Sequence, residues 1–225
     1  GAPREISRLN SDGTHDTTFH AEDMRAADNY EYRIALQNDG KIVIGGCFLN
    51  FGGGIVRLNS DGTHDSSFDI GAGFTALGGL SDIYSLTILQ GGRIAVTGSF
   101  TSFDGTPVMY CACLGSTGRL DTTFSLSQTP PLWYEVMPTP SFLAAAVAPD
   151  GRLIFGGDFT SVGSNETSGL AVYSANGNLD SWSAPGLRQI GEIYTAIPVV
   201  GGKWVVCGGF DFVNDTARKN SVRLN

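Results

Sequence analysis

Lysine is nearly missing from this chain: there are three in 225 residues, and only 16% of all residues are charged. Long solvated helices carry far more charge along their outer faces, so strands and turns are expected instead. Basic residues are outnumbered 14 to 22, which gives a net charge of −8 and a pI near 4.7. Nucleic-acid affinity rests on clustered Lys and Arg, and no nucleic-acid partner is expected. Apolar runs such as Phe142 to Ala148 fall far below the roughly 20 residues that span a bilayer. No membrane insertion is expected. The opening Gly1-Ala2-Pro3 has neither a charged n-region nor an apolar h-region and reads as an excised or processed piece. A GxSxG elbow, a P-loop, an HExxH pair and a Cys/His dyad at readable spacing are all missing. The expectation is therefore a protein that is not an enzyme and takes no cofactor. Cys47, Cys111, Cys113 and Cys207 form no CxxC and no zinc-knuckle spacing. They read as buried free thiols, with a disulfide or redox role as the alternative.

What the chain has in plenty is glycine, 31 residues, about twice the usual share. Hydrophobic residues make up 41%, enough for one large domain or two small ones without staples. Self-similarity organises both. KIVIGGCF at 41–48, RIAVTGSF at 93–100, RLIFGGDF at 152–159 and KWVVCGGF at 203–210 recur at spacings of 52, 59 and 51 residues. Each begins with a basic residue and places phenylalanine seven residues later: Phe48, Phe100, Phe159 and Phe210. A second block follows each of them: RLNSDGTHDSSF at 57–68, CLGSTGRLDTTF at 113–124, VYSANGNLDSW at 172–182 and a truncated RLN at 223–225. A further full copy, RLNSDGTHDTTF, stands at 8–19.

Each basic opener is preceded by Asp39-Gly40, Gly91-Gly92, Asp150-Gly151 or Gly201-Gly202, pairs that suit a two-residue hairpin turn. A strand must precede each turn. The second block carries its own turn at Asp12-Gly13, Asp61-Gly62, Thr117-Gly118 and Asn176-Gly177, which folds a third strand onto a short fourth. Four antiparallel strands per unit is a propeller blade. The strands are apolar on both faces, as sheets stacked between sheets require. The expected fold is an all-β propeller forming one domain over 1–225. Segment 8–19 closes the ring with 193–225 and covers an exposed edge. Four blades follow; five is the alternative if residues 20–31 or the linker 125–142 contribute strands.

The run GKIVIGG-x-F followed by RLN-x-DG-x-x-D-x-x-F resembles the delta-60 repeat, a bacterial and phage β-propeller unit laid out like kelch blades. The resemblance covers nearly the whole chain. It implies an extracellular, cell-surface or virion-fibre setting, and it brings no catalytic residues with it. The sequence departs from the pattern at Trp182, which stands one position early for the terminal aromatic, and at Thr97 and Cys207, which replace the first glycine of the doublet. Looser local packing is expected there.

Repeated residues are explained by the scaffold. His15 and His64 share one place in two copies and read as structural. His20 beside Glu22 and Asp23 reads as a solvated acidic linker, with metal binding as the weaker reading. Asp16, Asp65, Asp121 and Asp180 also recur in register, and the expectation is that they accept backbone N–H groups in tight turns rather than bind calcium. Irregular positions carry the functional signal. The linker 125–142 is the longest and holds Pro130, Pro131, Pro138, Pro140 and the adjacent Trp133-Tyr134. Exposed aromatics on a stiff loop suit sugar stacking, so Trp133, Tyr134 and Glu135 are the expected ligand-binding residues, with packing in the channel as the competing role. Tyr110, Asn165 and Asn214 are weaker candidates. From the in-register phenylalanine to the second block the gap is 13 residues in three copies and nine in the first (48 to 57). That edge is cut back. The function expected is a non-catalytic adhesion or recognition head, extracellular on a cell surface or virion. It would bind a surface glycan or other polymer of a target cell and would be trimeric through flanking fibre segments. The alternatives are a structural spacer and, third, a propeller glycoside hydrolase.

Overall fold

A computed structural model describes residues 6–21, 32–48, 53–76, 79, 81–124, 126, 143–157, 159, 161–162, 164–167, 169–180, 187–188, 193–214 and 216–224. Its described backbone is all-β: three smaller sheets, two of which gain a third strand where Phe74–Thr75 pairs with Ser102–Phe103 and Leu187–Arg188 with Phe212–Val213, accompany four larger antiparallel three-stranded sheets that follow one another along the chain. The first is Arg33–Leu36, Ile42–Gly45 and Ile55–Leu58; the second Ile83–Ile88, Ile94–Gly98 and Cys111–Leu114. The third is Ala144–Val147, Leu153–Gly156 and Leu170–Tyr173; the fourth Ile193–Val199, Lys203–Gly208 and Ser221–Leu224. Registers are equivalent, with Val43 opposite Arg57, Ala95 opposite Cys113, Ile154 opposite Val172 and Val205 opposite Arg223. Among the described residues no helix is long and apolar enough to cross a membrane.

Two features differ from the expected blade. The turns are not two-residue hairpins. Gly40 N–H donates to Gln37 O at 2.9 Å and Gln37 N–H to Lys41 O at 2.8 Å, a type I turn closed by a residue at positive φ, here Gly40 at 83°. Here only one residue must be left-handed, which is why Asp39 is accepted beside it, whereas both glycines of Gly91-Gly92 and of Gly201-Gly202 have positive φ. Asn59 to Thr63 repeats the same bonds around Gly62. The fourth strand is also reduced to one bridging pair per unit: Leu58 with His64, Leu114 with Leu120 and Tyr173 with Leu179.

The length difference between second and third strands has a structural counterpart. In the three longer copies the extra residues form a small hairpin: Ser102–Phe103 with Thr106–Pro107, Ser161–Val162 with Asn165–Glu166, and Phe212–Val213 with Thr216–Ala217. In the first unit Gly53 makes a parallel bridge to Gly73 instead.

Sheets stack face to face through apolar joints. Val43 and Ile55 of the first pack with Ile83, Ile94 and Val96 of the second. Ala95 and Cys113 meet Leu153, Phe155 and Tyr173, and Ile154 and Val172 meet Trp204 and Val206. Phe48, Phe100, Phe159 and Phe210 are all buried, as their register requires. The first glycine of the doublet sets the sheet spacing, because a Cβ on Gly45 would stand 2.6 Å from Ile83 Cγ2. Gly156 faces Ile193 in the same way. Thr97, which replaces that glycine in the second unit, is completely buried with no hydrogen-bond partner for its hydroxyl. Thr97 is fully enclosed rather than loosely packed, and the departure shows as a desolvated hydroxyl. Segment 6–21 lies against the first unit: Phe19 is buried with Ile44, Phe48, Val56 and Leu58, and His20 N–H donates to Asp61 O at 2.8 Å.

Candidate functional site

The in-register aspartates follow one local plan. Asp16 Oδ1 accepts the Thr18 N–H and hydroxyl at 2.9 and 2.6 Å, Asp65 Oδ1 those of Ser67 at 3.0 and 2.6 Å, and Asp121 Oδ1 those of Thr123 at 3.0 and 2.5 Å. The expected turn role is met in these three; the residues two beyond Asp180 lie outside the described ones. The second oxygen does what sequence reasoning missed and binds a basic side chain. Arg8 Nε reaches Asp16 Oδ2 at 2.7 Å, and Asp65 Oδ2 takes both Lys41 Nζ at 2.8 Å and Arg57 Nε at 2.7 Å. Asp121 Oδ2 has Arg93 Nη1 at 3.2 Å. Burial alone would raise the Asp65 carboxyl, but donors from Lys41, Ser67 and Arg57 outweigh it and hold it far below the usual carboxylate range. For Asp121 burial is likewise outweighed, by Thr123 and Arg93. Hydrogen bonds from Thr18, then Arg8, lower Asp16 to about 2.

A groove of about 400 Å³ opens beside the third strand of the second sheet. One wall is the chain after the inserted hairpin, Pro107 to Met109; the floor is the edge strand at Cys111 to Cys113; the far wall is Leu120 to Thr122 with Phe124 and Leu126. Met109 is 48% exposed. The thiols do not supply chemistry: burial pushes Cys113 up to about 12, and Cys111 is raised by the same cause, so both stay neutral. All four cysteines are free. The groove can therefore hold apolar or stacking groups and one cation beside Asp121. The nine-versus-thirteen length difference was the sequence signal for its first wall.

Trp133, Tyr134 and Glu135 lie outside the described residues, as do Glu22 and Asp23. Leu126, on the groove wall, is the last described residue before the stretch that carries the two aromatics. Tyr110 is buried at a positive φ of 64°, a packing position rather than a contact surface, while Asn165 and Asn214 sit exposed in and beside the small hairpins. Asp69 and Asp104 are drawn together, but Arg119 lies between them and pairs with both. Among the described residues no group of three His, Cys, Asp or Glu side chains is placed to hold a metal ion.

Residues 37–68, 92–124 and 148–181 match the family described as a domain of unknown function (DUF5122) beta-propeller. Those three stretches are similar to the repeats of a β-propeller family. The three matched stretches begin at the turn after the first strand and end near the in-register aspartate and terminal aromatic, so each holds the second and third strands of one of the first three sheets. A solved glycosyl hydrolase from Bacteroides ovatus is 14% identical, with 87% of this chain aligned at a TM-score of 0.34. The chain spans 64% of the length of that structure. No curated protein matches the sequence.

Proposed function

We propose that this propeller is a non-catalytic recognition head that binds a glycan or other polymer on a target surface. In this reading the ring has four blades in one domain, with segment 8–19 completing the last, and the setting is extracellular, on a cell surface or virion. The observation that carries it is the groove on the second unit, whose wall runs directly into the linker holding Trp133, Tyr134 and Glu135. Stacking on sugar faces uses rigid aromatics, and flanking prolines reduce the entropy lost when the loop orders. Retention of the chain on a glycan array, lost in the double variant Trp133→Ala, Tyr134→Ala with an unchanged melting temperature, is the expected result. Binding that survives the double variant, or turnover of a bound polysaccharide, would overturn this reading.

A further inference from the structure

Copies of one side-chain cluster differ in the residue that stands opposite the in-register aspartate. Asp16 N–H donates to Arg8 O at 2.9 Å, Asp65 N–H to Arg57 O at 2.9 Å, Asp121 N–H to Cys113 O at 2.8 Å and Asp180 N–H to Val172 O at 2.8 Å, so positions 8, 57, 113 and 172 are structurally equivalent; the last copy has valine there, and its block ends in no phenylalanine. In the first two, a guanidinium lies over the ring of the terminal phenylalanine, 4.9 Å from Phe19 and 4.5 Å from Phe68, while its Nε sits on the aspartate. In the third, a thiol stands in that place. The carboxylate of Asp121 and the ring of Phe124 are kept, and the groove of about 400 Å³ is lined by both.

We infer that this groove is a receptor for a guanidinium group, an arginine side chain presented by a partner polypeptide. The aspartate can accept it alongside its resident cation, because Asp65 Oδ2 holds Lys41 and Arg57 together where Asp121 Oδ2 holds only Arg93. Planar guanidinium combines a carboxylate bond with stacking on an aromatic face, which an ammonium does less well. Pro107, Val108 and Met109 on the near wall suit the methylene stem of such a side chain. The chain's net charge of −8 draws a cationic partner toward it. This inference does not depend on the glycan reading, since it uses neither Trp133 nor Tyr134.

Titration of the whole chain with Nα-acetyl-arginine amide, followed by amide chemical shifts, tests it. Saturable shifts are expected at residues 111–113 and 121–124, with a dissociation constant of order millimolar for one such contact. The citrulline isostere, which has the shape without the charge, should bind about tenfold more weakly or not at all. Asp121→Asn should weaken the arginine probe by about tenfold while the chain stays folded. Cys113→Arg should fill the groove from within: the probe no longer binds, and the melting temperature is held or raised as in the two natural copies. Absence of saturable shifts in the unmodified chain, equal binding of citrulline, or a Cys113→Arg chain that unfolds would each overturn the inference.

Discussion

Asp16, Asp65 and Asp121 occupy one sequence position in three copies, so alanine at each removes the same atoms and any difference in cost comes from the surroundings. At Asp65 the surroundings are severe. Its side chain and that of Arg57 are each 7% exposed, and Lys41 shares the same oxygen. Removing the carboxylate strands a buried guanidinium, which costs about 3–5 kcal/mol. Asp121→Ala leaves Arg93 with a quarter of its side chain exposed, and the loss is that of charged hydrogen bonds, about 1.5–3 kcal/mol. Asp16→Ala should cost least, because Arg8 is 40% exposed and finds water instead. Urea unfolding measures the order. With a slope of about 2–3 kcal/mol per molar for a chain of this size, Asp65→Ala should lower the midpoint by about 1–2 M. The same pair fixes an acid dependence. Asp65 has a folded pKa below its unfolded value, so its contribution is complete above about pH 4 and is lost as pH falls further, through the folded pKa. Asp65→Ala should therefore lose less stability than the parent on acidification below about pH 4. Equal midpoint losses for all three variants would refute the argument that burial, rather than the motif, sets the cost.

Gly45→Ala should cost about 1–3 kcal/mol through its approach to Ile83, and combining it with Ile83→Ala should cost less than the sum of the two single changes, a coupling read from a double-mutant cycle. Phe100→Ala and Phe159→Ala, at rings that are 0% and 2% exposed, should each lower stability by about 3–5 kcal/mol; a loss under 1 kcal/mol at either would show that the joint does not depend on the ring. Deleting residues 1–19 removes Phe19 from Ile44, Val56 and Leu58, so the shortened chain should aggregate or melt earlier, as light scattering and calorimetry would report. Unchanged melting would show that the cover is not needed.

The repeat made the sheets legible because one period governs turn glycines, strand lengths and buried phenylalanines together. Local sequence says less about turn geometry: Asp39-Gly40 suits several hairpins, and the hydrogen bonds decide among them. The short fourth strand was over-read, since a turn and an alternating pair such as His64 and Asp65 specify one bridge without specifying a ladder. The aspartate cluster was hidden for a different reason. Lys41, Arg57 and Asp65 are 24 and 8 residues from one another along the chain, and only the stacking of three strands brings their ends to one point. Cys113 in the place of Arg57 stood plainly in the aligned blocks, yet a substitution becomes a site only once the ring and carboxylate around it are seen to be retained.

Among the described residues each apolar joint is built from two neighbouring units, or from the first unit and segment 6–21. Such an arrangement behaves as a one-dimensional chain of couplings, in which each unit is stabilised by what lies directly before and after it. Openings therefore have a natural grain. Ile197 and Val200 of the fourth sheet, at 54% and 98% exposure, mark where exchange with solvent should begin. The same property makes the fold tolerant of whole-unit gain and loss, because a unit inserted at any joint meets on both sides the kind of surface it already fits.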